Sequence, residues 1–152
     1  MLSSNHVVAG GVIGLVCKRH PLAAVAVGFA SHFALDALPH WGASSSEDFY
    51  RVARRDGVTG AVLLASTLVL APRRARPALA GAMLASVAPD ADMVLDYFFH
   101  RKIAPAWFTK AHVRVQQGRE SGHRITQEVV SAGVGAAVLL LCVCGARRSQ
   151  RA

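Results

Sequence analysis

Charge is what this chain is short of. Only 17% of its 152 residues are Asp, Glu, Lys or Arg, against roughly a quarter in ordinary globular domains. Acids are the scarcer sign: nine stand against 17 Lys and Arg, for a net charge of +8. Cysteine is limited to Cys17, Cys142 and Cys144, an odd count that excludes a disulfide framework. Each thiol sits near the end of an apolar run, where cysteine packs as a small apolar side chain. Aromatic residues, at 7%, are too few to interleave with the arginines. The basic balance therefore does not read as a specific nucleic-acid surface. No cationic stretch precedes the first apolar run, and Lys18-Arg19 follow it instead. A cleaved signal peptide is not expected from that order.

What the chain has in abundance is apolar: 53% of it is hydrophobic. The runs cover 7–17, 22–38, 57–71, 78–88 and 125–145, and Pro or Arg clusters close them. Crossing ~30 Å of hydrocarbon takes about 20 helical residues. The second, fourth and fifth runs reach that with their polar ends. The first and third are short, which suits tilted, interfacial or buried helices. Glycines recur in most of the runs (Gly10, Gly11, Gly14, Gly28, Gly60, Gly81, Gly133, Gly135), as close helix approach in lipid favours. These features predict an all-α integral membrane bundle of four to five segments, forming a single domain over 1–152. Its parts would be hairpin 1 at about 6–40, hairpin 2 at about 57–100, a polar basic loop at 101–124, and a C-terminal helix at 125–145.

One stretch organises the rest. Ser31-His32-Phe-Ala-Leu-Asp36-Ala-Leu-Pro-His40-Trp41 spaces His32, Asp36 and His40 four apart, and Asp92, Asp96 and His100 repeat the beat. Four-residue spacing stacks side chains on one helical face, so each copy can aim nitrogen and carboxylate ligands at one point. Arg19-His20-Pro21-Leu-Ala-Ala also resembles Arg76-Pro77-Ala-Leu-Ala-Gly ahead of each copy. The chain therefore reads as two repeated helical hairpins plus a fifth helix.

If all five runs cross a bilayer, the loops sort by charge. One side receives Lys18, Arg19, Arg73, Arg74, Arg76, Arg147, Arg148 and Arg151 and no acid. The other receives every Asp and Glu and all the histidines except His20. The dense basic side suits the cytoplasm, which would turn the His/Asp side outward.

Ionisable groups at the edge of apolar helices are costly and mark function. Mixed His and Asp ligands suit a divalent metal, zinc or manganese before others. His6, His32, Asp36, His40, Asp90, Asp92, Asp96 and His100 are the candidate ligands, and Asp36 and Asp92 the candidate catalytic carboxylates. Bland alternatives stand beside each. His32 and Asp36 also suit a buried polar pair that fixes helix packing. Asp90 and Asp92, after Pro89, suit helix caps. His40-Trp41 suits an interfacial pair, and His112 and His123 a solvated basic loop that touches anionic headgroups.

The segments Ser31-His32-x-x-x-Asp36 and Pro89-Asp90-x-Asp92, with His6 ahead of Ala9-Gly10-Gly11, resemble a group of small bacterial membrane proteins. These are labelled membrane-bound metal-dependent hydrolases and are distantly likened to zinc-dependent phospholipase C. The similarity covers the first hundred residues or so. It implies a multi-pass protein of the cell inner membrane that uses a bound divalent metal to hydrolyse a lipid or lipid-linked substrate. The chain departs from the group in motif order and in lacking its His-Arg-x-x-Thr-His-Ser segment, of which His100-Arg101 is only a beginning. The alternative is a non-enzymatic membrane protein whose cluster is a proton or ion relay, or a structural polar network.

Overall fold

A computed structural model describes residues 1–149, so Arg151 lies outside the described residues. The described residues form seven α-helices: α1 Ser3–Val16, α2 Pro21–Asp36, α3 Ser46–Leu70, α4 Arg76–Val87, α5 Ala91–Phe99, α6 Ala106–Gln116 and α7 Ile125–Arg148. Pro21 and Pro77 fall in the first turns of α2 and α4, where a missing N–H costs nothing. No strand forms among the described residues; a single bridge pairs His40 with Glu120. The architecture is all-α.

Helix α4 runs between α1 and α2, and α1 also packs on α3 and α7. Small residues set these contacts. A Cβ at Gly10 would lie 2.6 Å from the Met83 Cα, and one at Gly14 2.6 Å from the Leu79 Cα. Glycine is required at both, because backbone meets backbone there. On the other side of α4, Ala78 and Ala82 pack against Ala24, and all three are fully buried. Around this seam Val7, Leu63, Leu79, Met83, Leu139 and Val143 form the main apolar core.

Two differences from the sequence reading have clear causes. Helix α3 begins at Ser46, well ahead of the apolar run at 57–71. Ser45 caps it by accepting from the Asp48 amide, and Glu47 and Asp48 occupy its first turn, where carboxylates suit the helix dipole. The basic segment 101–124 likewise contains α6, which begins after Pro105 and buries only His112. Both are amphipathic helices whose polar faces mask them in a search for apolar runs.

Two stretches are long and apolar enough to cross a bilayer, Arg73–Phe99 and Gly122–Arg148, whereas α1 and α2 are apolar but shorter. On α7, Val130, Val134, Val138 and Leu141 stand exposed. The ends of the bundle differ in charge. Arg76 donates to the carbonyls of Val69 and Ala71, and Arg147 also donates to Val69, which ties three helix ends together. Gly14 against Leu79 brings the Lys18-Arg19 turn to this same end. The opposite end holds the start of α1, the close of α2, the α4–α5 turn and the start of α7.

Candidate metal centre

Helix α2 delivers His32 and Asp36 one turn apart in its last turns, both with no exposed surface. The helix closes at once, ahead of Pro39. Helix α1 contributes His6, also fully buried, whose ring stacks on that of His32 with centroids 4.2 Å apart. Asp36 sits between the rings: Oδ1 is 3.3 Å from His6 Nε2, and Oδ2 is 3.1 Å from His32 Nε2. The turn that leaves α4 adds Asp90, whose Oδ1 lies 3.6 Å from His32 Nε2.

Helix α6 closes the cluster. His112 Nε2 lies 3.0 Å from His32 Nε2, 3.0 Å from Asp36 Oδ2 and 3.7 Å from Asp90 Oδ1. A tetrahedral ion with bonds of about 2.0–2.1 Å holds its ligand atoms roughly 3.3 Å apart. His32, His112 and Asp36 thus present a near-equilateral triangle of the right size, and Asp90 lies just beyond the two nitrogens.

Hydrogen bonds around the triangle orient its members. The Ser86 carbonyl lies 2.8 Å from His32 Nδ1. A carbonyl only accepts, so Nδ1 carries a proton, which leaves Nε2 as the nitrogen free to ligate when the ring is neutral. Ser86 is itself fixed, its hydroxyl lying 2.8 Å from the carbonyls of both His6 and Met83 and sharing its one proton between them. Gln116, one turn beyond His112, donates its amide to Asp36 Oδ2 at 2.8 Å. The Met1 amine lies 3.2 Å from Asp36 Oδ1.

The donor set fits a divalent cation. His6 Nδ1 and Asp90 Oδ1 are buried and make no hydrogen bond, and each such orphan costs roughly 1–3 kcal/mol. His32 and His112 bring two ring nitrogens together beside two carboxylates, an arrangement a shared ion satisfies. Two overlapping groups can hold one, His6–His32–Asp36 and His32–Asp90–His112. No family model, curated protein or solved structure matches the chain. The geometry alone therefore carries the functional reading.

The cluster gathers His6, His32, Asp36 and Asp90 from the sequence candidates and leaves the others apart. His40 is buried, but its Nδ1 bonds the Leu38 carbonyl and its Nε2 lies 3.8 Å from Glu120. It anchors the 119–121 segment, to which its own backbone also bonds. Asp92 Oδ1 accepts from the amides of Ile103 and Ala104 at 2.6 and 2.9 Å, which holds the loop ahead of α6; α5 itself begins without a side-chain cap. Asp96 lies 3.4 Å from Lys102. His100 is an exposed, left-handed cap at φ 51° that ends α5.

Sequence reasoning set His112 aside as a solvated loop histidine and passed over Gln116 and Ser86. A signal existed: Phe108, His112 and Gln116 repeat the four-residue beat of His32 and Asp36. It was hidden by the surrounding positive charge. Glu128, also passed over, is buried and accepts from the backbone amides of Leu2 and Trp41. With Asp56, which accepts from the Ser4 amide, it satisfies the open amides at the start of α1. That fixes His6 in place.

Two clefts reach the cluster. One, of about 180 Å³, is lined by Asp90, His112 and Gln116 together with Asp92, Asp96 and Lys102. The other, of about 170 Å³, runs from Asp90 and Gln116 past Trp41 and Phe49. A solute can therefore approach Asp90 and His112 from the surface, whereas His6, His32 and Asp36 lie behind them.

Proposed function

We propose that the chain is a membrane-bound, metal-dependent hydrolase, multi-pass in the cell inner membrane, acting on a lipid or lipid-linked substrate. The observation that carries this is the convergence of His32, His112 and Asp36 at ligand spacing beside the unpartnered Asp90. Zinc or manganese suits the mixed nitrogen and oxygen donors. The two apolar stretches of bilayer length and the exposed valines of α7 support placement in a membrane. So does the all-basic end opposite the cluster.

In this reading His32, His112 and Asp36 hold the ion, with His6 behind them on the second Asp36 oxygen. A bound divalent ion supplies Lewis acidity and lowers the pKa of a water beside it. The protein's own groups do the rest. Ser86 keeps the His32 lone pair aimed inward, and Gln116 holds Asp36. Asp90, which borders both clefts, takes the proton from the attacking water. The proton-accepting role expected of Asp36 and Asp92 passes to Asp90, because both others already accept hydrogen bonds.

The test is elemental analysis of detergent-purified protein. Near-stoichiometric zinc or manganese, absent from the His32→Ala/Asp36→Ala double variant, is the expected result. Metal-free protein that keeps its fold would favour a relay or structural polar network, to which the Gln116–Asp36–His112 hydrogen bonds are also suited.

A further inference from the structure

An apolar groove of about 490 Å³ lies between α3 and α5, within the range of roughly 300–1,000 Å³ typical of small-molecule sites. Its walls are built by side chains such as Val58, Val94 and Phe98, all more than half exposed. Arg54 is its one charged wall residue among those described. The groove is not isolated: Phe49, Ala53, Gly57, Met93 and Val94 line both it and the cleft that ends at Asp90 and Gln116. Gly57 opens the wall, since a Cβ there would meet nothing within 4 Å.

We infer that this groove seats an acyl chain of the substrate, with the headgroup of the same molecule reaching along the shared cleft to Asp90. The inference rests on the hydrolase reading and names its substrate class as an acyl lipid. Two features favour one acyl chain over another occupant. The groove shares five wall residues with the cleft that ends at Asp90 and Gln116, so a chain seated in it lies beside the route to the cluster. Its walls offer almost no polar partner, which suits a hydrocarbon and not a peptide backbone.

The probe is a phosphatidylglycerol carrying a diazirine on one acyl chain, photolysed with the full chain in detergent micelles and mapped by peptide mass. Label is expected on the peptides of 49–61 and 91–99. Gly57→Phe fills the open wall, and Val94→Gln makes the facing wall polar. Each should lower that label about tenfold, the effect of excluding about two methylenes. Gly57→Ala should keep it. Metal content and thermal unfolding are read on the same samples. Both are expected to match the parent, because neither position is among the cluster residues. Label spread over α2 and α7, label on 49–61 and 91–99 indifferent to both variants, or cross-linked pairs of chains in its place, would overturn the inference. Absence of metal from the parent would instead remove the hydrolase reading and leave the lipid groove to be judged by its own label.

Discussion

Gly10→Ala adds one methyl group and should cost more stability than any surface charge change. The new Cβ would lie 2.6 Å from the Met83 Cα, 2.7 Å from the Ala82 carbonyl oxygen and 2.7 Å from Ser86 Oγ. Two of those neighbours are α4 backbone, which cannot rotate aside, so α1 and α4 must part by most of an ångström. Overpacking costs about 1–3 kcal/mol, and a wedge against backbone belongs at the upper end. Replacing glycine by alanine inside a helix returns up to about 1 kcal/mol. The net loss is about 2 kcal/mol, a factor of roughly 30 in the ratio of folded to unfolded chain. Gly133→Ala, where nothing lies within 4 Å, is the matched control and should gain up to about 1 kcal/mol from propensity alone. Denaturant titration of both in mixed micelles, followed by far-ultraviolet circular dichroism, makes the comparison. The wedge also presses on Ser86, so Gly10→Ala should weaken metal binding without touching a ligand. A Gly10→Ala midpoint at or above that of Gly133→Ala would refute the packing argument.

His112→Ala should remove metal as completely as His32→Ala, whereas His100→Ala and His123→Ala should leave the stoichiometry of the parent; equal retention in all four would dissolve the cluster. Gln116→Ala, which leaves the ligands but frees Asp36 on one side, should weaken zinc binding by about 10–100-fold in a chelator competition. Imidazoles ligate only when deprotonated, so affinity should fall as pH drops from about 7 to 5; a flat profile would point to carboxylate oxygens alone. Glu128→Ala strips the amides of Leu2 and Trp41 of a buried charged acceptor and should cost about 2–3 kcal/mol. Glu47→Ala, on the exposed first turn of α3, should stay within about 0.5 kcal/mol in the same melt.

How much of this was legible in the sequence varies with the signal each part gives. Apolar run length marked α1, α2 and α7 closely, and proline placement marked where α2 and α4 start. The four-residue beat marked His32 and Asp36, and the charge sorting placed the basic clusters and the histidines at opposite ends. His6 and Asp90 were legible as neighbours of apolar runs. Amphipathic helices were not: α3 starts among Ser45, Glu47 and Asp48, and α6 lies within a basic stretch that reads as solvated. His112 is the consequence. Its helix is identifiable only from which face it buries, and that face is set by Phe33 and Phe108, whose rings lie 5.5 and 6.3 Å from the His112 ring. Tertiary contact, and not local propensity, makes this residue a ligand candidate.

The second copy of the motif diverges for a structural reason. In α2 the helix continues unbroken through His32 and Asp36, so both side chains stay on the face that meets α4 and α6. After α4 the chain makes a 3-10 turn at Ala88–Asp90 before α5 begins. That turn changes the helical phase. Asp90 is carried to within 3.6 Å of His32, while Asp92 faces the amides of Ile103 and Ala104 and Asp96 faces Lys102. Matching letters at matching spacing thus end in different places, because spacing predicts a common face only along one uninterrupted helix. The α5 that results meets α3 through Tyr97 on Tyr50 instead of lying over the cluster. That displacement leaves an open cleft at Asp90 and an apolar groove beside it, where a strict repeat would have placed a second set of ligands.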